Sequence, residues 1–259
     1  MVEIDFNSDL GESFGVYRLG CDDAILQHVT SANIACGFHA GDAQTIAATV
    51  RAAHNAGVAI GAHPGFPDLQ GFGRRMMRLS ADEIYNITVY QVGALKTFAE
   101  AVGSRLAHVK AHGALYNLAA RDRDVSNALC AAVRDIDPRL VFYGLAGSEL
   151  VAAAQDAGLS VAQEVFADRT YQDDGTLTPR GHPAALITDV DQSVRQVLDM
   201  LEEGRVRALS GAWVPVQPDT LCIHGDQPGA AAFARQIRDA LTRAGVLVTA
   251  PTTSTLCRA

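Results

Sequence analysis

Seven apolar runs of strand length recur along the chain, separated by stretches whose apolar residues fall at helical spacing. The runs are VEIDFNSD (2–9), SANIAC (31–36), GVAIGAH (57–63), LAHVKAH (106–112), LVFYGLA (140–146), SVAQEVFA (160–167) and TLCIHGD (220–226). Val2, Ile4 and Phe6 alternate, which puts them on one face of the first strand. The helical stretches carry their own punctuation. Ser80 and Glu83 form a capping box ahead of a stripe of Ile84, Ile87, Gln91, Leu95, Phe98 and Val102, and Gly103 ends it. Asp189 is placed to cap a helix with Val194, Val197, Leu198 and Leu201, closed by Gly204. Pro228 suits the first position of a helix bearing Phe233, Ile237 and Leu241 and ending at Gly245.

Strand alternating with helix this many times predicts parallel strands joined by right-handed crossovers, because parallel neighbours need a long return connection. Two architectures meet that requirement, a doubly wound open sheet and a closed (β/α) barrel. The strand ends decide between them. An open sheet draws its ligand site from the few strand ends at a switch point, whereas a barrel brings all of them to one mouth. Here most runs end in reactive side chains: Asp9, His39, His63, Lys110 with His112, Glu164 with Asp168, and His224. Convergence accounts for that recurrence, so the pattern predicts a TIM-like barrel. No linker or low-complexity segment interrupts residues 1–259, which read as one domain.

Composition narrows the function classes. The 259 residues carry a net charge of -8 and no basic run, which argues against a nucleic-acid partner. No apolar stretch approaches the roughly 18 residues of a membrane span. The segment MVEIDFNSDLGES is acidic and has no charged-then-apolar secretion pattern. Five scattered cysteines without CxxC spacing read as reduced thiols. Together these features predict a cytoplasmic protein.

The strand-end residues admit bland and chemical readings. Asp9 and Glu12 flank Gly11 where a cap would stand, and equally where a barrel-mouth carboxylate would serve as base or cation ligand. His39 and His63 sit beside glycines that let the backbone turn close to a ligand. With Asp9 they make up an Asp-His-His set of the kind hydrolases use to hold Zn²⁺ or a similar metal, although no HxxH or HExxH string is present. Lys110 and His112 share a face at i and i+2. A lysine ending an apolar strand is costly to bury without an anionic partner or a lowered pKa, a solvated rim lysine being the plain alternative, and the histidine beside it is a candidate proton carrier.

Two loops fit the role of covers. Residues 163–181 carry Glu164, Asp168, Arg169, Tyr171, Asp173, Asp174 and Arg180, with the Arg169 fork suited to a carboxylate. Residues 64–79 carry Arg74, Arg75 and Arg78 among glycines and prolines. No GxxxxGK[ST] phosphate loop, GxGxxG or GxSxG motif occurs.

The strings IDFNSDLGESFG, SANIACGFHAGD, GVAIGAHPGFPDLQGFGRR, HVKAHGALYN, GLAGSE, EVFADRTYQDDGTLTPR and CIHGDQPGA, in that order, resemble the LamB/YcsF family from about residue 3 to about residue 248. One departure is Ala111, where the family pattern has proline. The resemblance implies an irregular or seven-stranded TIM-like barrel of the glycoside hydrolase/deacetylase superfamily type. It further implies ATP-dependent hydrolysis of 5-oxoproline to glutamate, with Mg²⁺ accompanying ATP and this chain serving beside two further 5-oxoprolinase subunits, B and C. A homo-oligomer is compatible with that assembly.

On this reading Asp9 or His112 activates water, while Lys110 and Arg169 meet oxyanion or phosphate charge. Asp168 joins the catalytic set, and Glu12, His39, His63 and His224 contact substrate or metal. Two other readings stand beside it. One is a metal-dependent deacetylase or amidohydrolase built on Asp9, His39 and His63; the other is a non-catalytic substrate-binding subunit.

Overall fold

The computed structural model describes residues 2–225, 229–252 and 256. Its elements run β1 (Glu3–Leu10), α1 (Asp22–Ile25), β2 (Ser31–Ala35), α2 (Ala43–Ala56), β3 (Ala59–His63), α3 (Ala81–Ala101), β4 (Leu106–Lys110), α4 (Gly113–Ala119), α5 (Arg123–Ile136), β5 (Val141–Leu145), α6 (Glu149–Asp156), β6 (Ser160–Phe166), α7 (Val190–Glu203), β7 (Arg205–Arg207), β8 (Trp213–Pro215), β9 (Thr220–His224), α8 (Ala230–Arg243) and β10 (Leu247–Val248). Each of the seven apolar runs supplies one barrel strand. Strands β1 to β6 pair in sequence order, β6 pairs with β9, and β9 returns to β1, all in parallel. The sheet therefore closes into the expected TIM-like barrel, in its seven-stranded form. β10 adds two residues beside the start of β1, and β7 with β8 makes a separate antiparallel pair.

The helix signals act as read. Ser80 Oγ accepts from the Glu83 N–H and the Glu83 carboxylate accepts from the Ser80 N–H, completing the capping box of α3. Asp189 accepts from the Gln192 N–H, and Gly204 closes α7 in the left-handed region. The buried face of α3 carries Ile84, Val92 and Leu95, each contributing roughly 1.5–3 kcal/mol by leaving water. Pro228, expected to open α8, lies outside the described residues, as does Asp226; the helix starts at Ala230 after Gly229.

The facing of β1 sets up the chemistry. Ile4, Phe6 and Leu10 belong to one apolar cluster with Val50, Leu95 and Ile237 of the surrounding helices, so the apolar face looks outward. Asp5, Asn7 and Asp9 look into the barrel, where the Tyr143 hydroxyl of β5 donates to Asp5 at 2.9 Å and Asn7 Nδ2 donates to Glu164 of β6 at 3.1 Å. Those partners lie on strands that do not neighbour β1, so the bonds span the lumen. Side chains fill the interior of a barrel this small, and here much of that filling is polar and hydrogen-bonded.

Candidate functional site

Strand ends β1, β3, β4, β6 and β9 deliver their polar side chains to one mouth. Asp9, Glu12, His63, Lys110, His112, Arg169 and His224 line a single cleft there with Arg74, Tyr116, Phe166 and Arg180. His39 lies behind it, fully buried, and Asp168 supports its edge through His224. Every residue expected in the site thus belongs to one neighbourhood.

Lys110 stands at its centre. Its ammonium donates to Glu164 Oε1 at 2.8 Å, Asp9 Oδ1 at 2.9 Å and Cys222 Sγ at 3.0 Å. Asn7 Oδ1 is a fourth acceptor at 3.4 Å, so four acceptors surround three ammonium hydrogens. The lysine expected to meet substrate charge lines the cleft and is also held by acceptors of the protein itself. Burial disfavours the ammonium, yet the Asp9 and Glu164 carboxylates and the hydrogen bond to Cys222 more than offset this and raise its pKa well above the ordinary lysine value. Burial pushes the Cys222 thiol well up, so the sulfur acts as a hydrogen-bond acceptor here rather than as a charge.

Asp9 is pulled both ways. Burial favours its neutral form, but the charges of His63 and Lys110 and the hydrogen bond from His63 hold the carboxyl well below the usual range. Asn33 Nδ2 also donates to Oδ1 at 2.8 Å, and His63 Nε2 lies 3.2 Å from Oδ2. Glu164 is completed by the Tyr116 hydroxyl at 2.7 Å.

His63, His112 and His39 form the second feature. The His63 and His112 rings meet nitrogen to nitrogen, Nε2 to Nδ1, at 3.0 Å. The His39 ring stacks on His112 with centroids 3.7 Å apart and planes 4° apart. Burial and neighbouring imidazoles depress the pKa values of His39 and His112 well below the ordinary histidine value, keeping both neutral. Neither ring nitrogen of His39 has a hydrogen-bond partner among the described residues. Gln91, buried on α3, holds Gly65 beside it by accepting the Gly65 N–H and donating to the Gly65 carbonyl, each at 2.9 Å. A Cβ at Gly65 would stand 2.6 Å from His39 Nδ1, so the ring needs glycine there. Glu12 faces this group, its Oε1 3.8 Å from His112 Nδ1 and 4.0 Å from His39 Nε2.

The expected Asp9-His39-His63 metal set is regrouped. Donor atoms of Glu12, His39, His63 and His112 lie within 4.8 Å of one another, while Asp9 groups with Cys222 and His224. Asp9 meets Lys110 and Asn33 through Oδ1 and His63 through Oδ2.

The third feature is a dyad. Asp168 accepts from His224 Nδ1 at 2.8 Å and from the His224 backbone N–H at 3.2 Å. Burial raises the Asp168 carboxyl, but the His224 charge and hydrogen bonds outweigh it and lower its pKa. With Nδ1 so engaged, His224 Nε2 is the ring position left for chemistry.

Arg169 lines the cleft and also braces its wall. Its Nε donates to the Ala185 carbonyl at 3.2 Å and its Nη2 to the Thr178 carbonyl at 2.6 Å, which ties the 163–181 segment into a fixed wall of the cleft. Burial depresses its pKa to about 10. Thr170, Tyr171 and Thr178 are buried in the same wall. In the 64–79 loop, Arg75 pairs with buried Asp68 while Arg74 packs over the Phe72 ring and reaches the cleft.

Asn7, Asn33, Cys222 and Tyr116 were not among the expected residues. The first three sit mid-strand, where a polar residue facing the lumen reads as an interruption of an apolar run. Tyr116 lies on α4, three residues past the glycine that opens the helix, and no local signal marks it.

A model of the LamB/YcsF family matches residues 4–256. A Bordetella pertussis protein named as the A component of 5-oxoprolinase is 60% identical over 247 residues, covering 95% of this chain and 98% of the relative. A Tolumonas auensis protein of the same name is 57% identical over 250 residues, covering 96% and 100%. The crystal structure of a lactam utilization protein from Thermus thermophilus superposes with a TM-score of 0.91 at 48% identity, covering 96% of this chain and all of that one.

Proposed function

The chain belongs to the LamB/YcsF family, and from that premise we propose that it takes part, as one component of a multi-subunit enzyme, in the hydrolysis of 5-oxo-L-proline to L-glutamate. The observation that carries this reading is the 60% identity, over nearly the full length of both chains, with a relative named for that enzyme. The cleft chemistry agrees with it.

Opening the lactam requires a water oxygen to bond to the carbonyl carbon, the C–N bond to break, and a proton to reach the departing nitrogen. The lactam is a resonance-stabilised amide, so its carbonyl needs activation. In the proposed reaction ATP, with Mg²⁺, would supply this by phosphorylating the carbonyl oxygen; water would then add to the carbon and the C–N bond break to leave an acyl phosphate, which a second water would cleave to carboxylate and phosphate. ATP and the two partner subunits, B and C, belong to the proposal for the assembled enzyme.

In this chain His224 is the residue placed to move protons. Asp168 fixes its Nδ1–H, leaving Nε2 to take a proton from water and return it to nitrogen. Asp9, kept anionic beside Lys110, shapes the charge of the cleft floor. Arg74 and Arg180 at its rim supply positive charge for the substrate carboxylate.

The test is reconstitution. Purified chain and its two partners are assayed for glutamate release and ATP hydrolysis with 5-oxoproline, and each component is omitted in turn. Glutamate should form only when this chain is present. Equal turnover by the partners alone, or none by the full set, sinks the reading.

A further inference from the structure

We propose that Glu12, His39, His63 and His112 form a binding site for one divalent first-row transition ion of the Zn²⁺ or Co²⁺ type. The inference is independent of the proposed reaction.

Two rings are held so that their inner nitrogens converge. His63 Nδ1 lies 2.8 Å from the Lys110 carbonyl and His112 Nε2 lies 2.8 Å from the Phe72 carbonyl. A carbonyl only accepts, so each of those nitrogens carries the hydrogen. The other two nitrogens, His63 Nε2 and His112 Nδ1, face one another at 3.0 Å. Asp9 Oδ2 lies 3.2 Å from His63 Nε2, and Glu12 Oε1 lies 3.8 Å from His112 Nδ1. Ligand atoms of Glu12, His39, His63 and His112 lie within 4.8 Å of one another in buried surroundings, close enough for one ion to be shared among them. A ring whose distal N–H is anchored on a backbone carbonyl is also the arrangement metal-bound histidines adopt, since it fixes tautomer and orientation.

His39 is the second, independent observation. It is fully buried with both nitrogens unpartnered among the described residues, against the rule that buried polar atoms are satisfied. Its stacked position does not aim a lone pair at the same point as His112, so coordination requires the His39 ring to turn. It is the ring without hydrogen bonds to break among the described residues. Three imidazoles and one carboxylate suit a borderline ion in four-coordinate geometry, and disfavour Mg²⁺ or Ca²⁺, which take oxygen ligands.

The test uses the full chain stripped with a chelator, then titrated with Zn²⁺ or Co²⁺. One equivalent should bind, with a visible Co²⁺ absorption band of tetrahedral intensity. His39→Gln and Glu12→Gln should each weaken binding about tenfold or more, while His54→Gln on the exposed face of α2 should not. In ¹⁵N spectra, Zn²⁺ should shift His63 Nε2 and His112 Nδ1 and leave their partner nitrogens protonated. A proton found on His63 Nε2 in the presence of excess Zn²⁺ overturns the site, as does absence of stoichiometric binding or equal affinity in folded His39→Gln and Glu12→Gln variants. Because binding is read without turnover, a metal-loaded chain inactive with its partners leaves the site standing and sinks the reaction. Full turnover by a chain that binds no Zn²⁺ or Co²⁺ does the reverse.

Discussion

Lys110 Nζ lies 2.8 Å from Glu164 Oε1, with the lysine side chain 3% exposed and the glutamate fully buried. An ion pair this deep is costly to break from one side, because the remaining charge has no water to turn to.

Lys110→Ala should therefore destabilise the fold by about 3–5 kcal/mol, since it strands two carboxylates, Glu164 and Asp9. Urea unfolding followed by circular dichroism measures it. A loss below about 1 kcal/mol, the range of exposed pairs, would show that these charges are solvated.

Asp168→Asn removes the acceptor that orients His224. Glutamate formation by the reconstituted complex should fall roughly 10²–10⁴-fold, the usual worth of a positioned proton carrier. His224→Gln should fall as far, and the double variant little further, because the two act as one unit. Additive losses would separate them.

Acid should weaken the fold through His108. Burial first, then the charge of Lys110, pushes its pKa from the ordinary 6.5 to about 3, and its Nε2 lies 2.8 Å from Asn33 Oδ1 inside the barrel. The unfolded chain binds a proton there below about pH 6.5 and the native chain does not until about pH 3. Its contribution is thus present above pH 6.5 and lost as pH falls through that window, at about 1.4 kcal/mol per pH unit. Stability curves of wild type and His108→Gln between about pH 7 and about pH 4.5 should differ in slope by that one proton; parallel curves would refute it.

Gly73→Ala should disturb the histidine group directly. Gly73 has φ +63°, and an added Cβ would stand 2.7 Å from His112 Cδ2 and 2.8 Å from His39 Cβ. The backbone term alone costs about 1 kcal/mol. Ser80→Ala, which deletes only the α3 cap, should cost about 1 kcal/mol and leave turnover intact. Equal behaviour of the two variants in the reconstituted assay would mean that His39 and His112 have no part in the site.

The chain's own pattern determined the seven strands, the caps of α3 and α7 and the set of strand-end residues, because period, punctuation and capping are local properties of sequence. It marked Lys110 as needing an anion without choosing among Asp9, Glu164 and the rest, and it grouped Asp9 with His39 and His63. Barrel closure decided those matters. It turned Ile4 and Phe6 outward and Asp5, Asn7 and Asp9 inward, a choice alternation alone leaves open because either face of a strand can meet a core. Register across strands distant in sequence then set Glu164 against Lys110, Asp168 against His224, and Glu12 and His112 beside His39 and His63. Such neighbours lie far apart along the chain, Lys110 and Asp9 by 101 positions, so only the closed barrel brings them within a hydrogen bond.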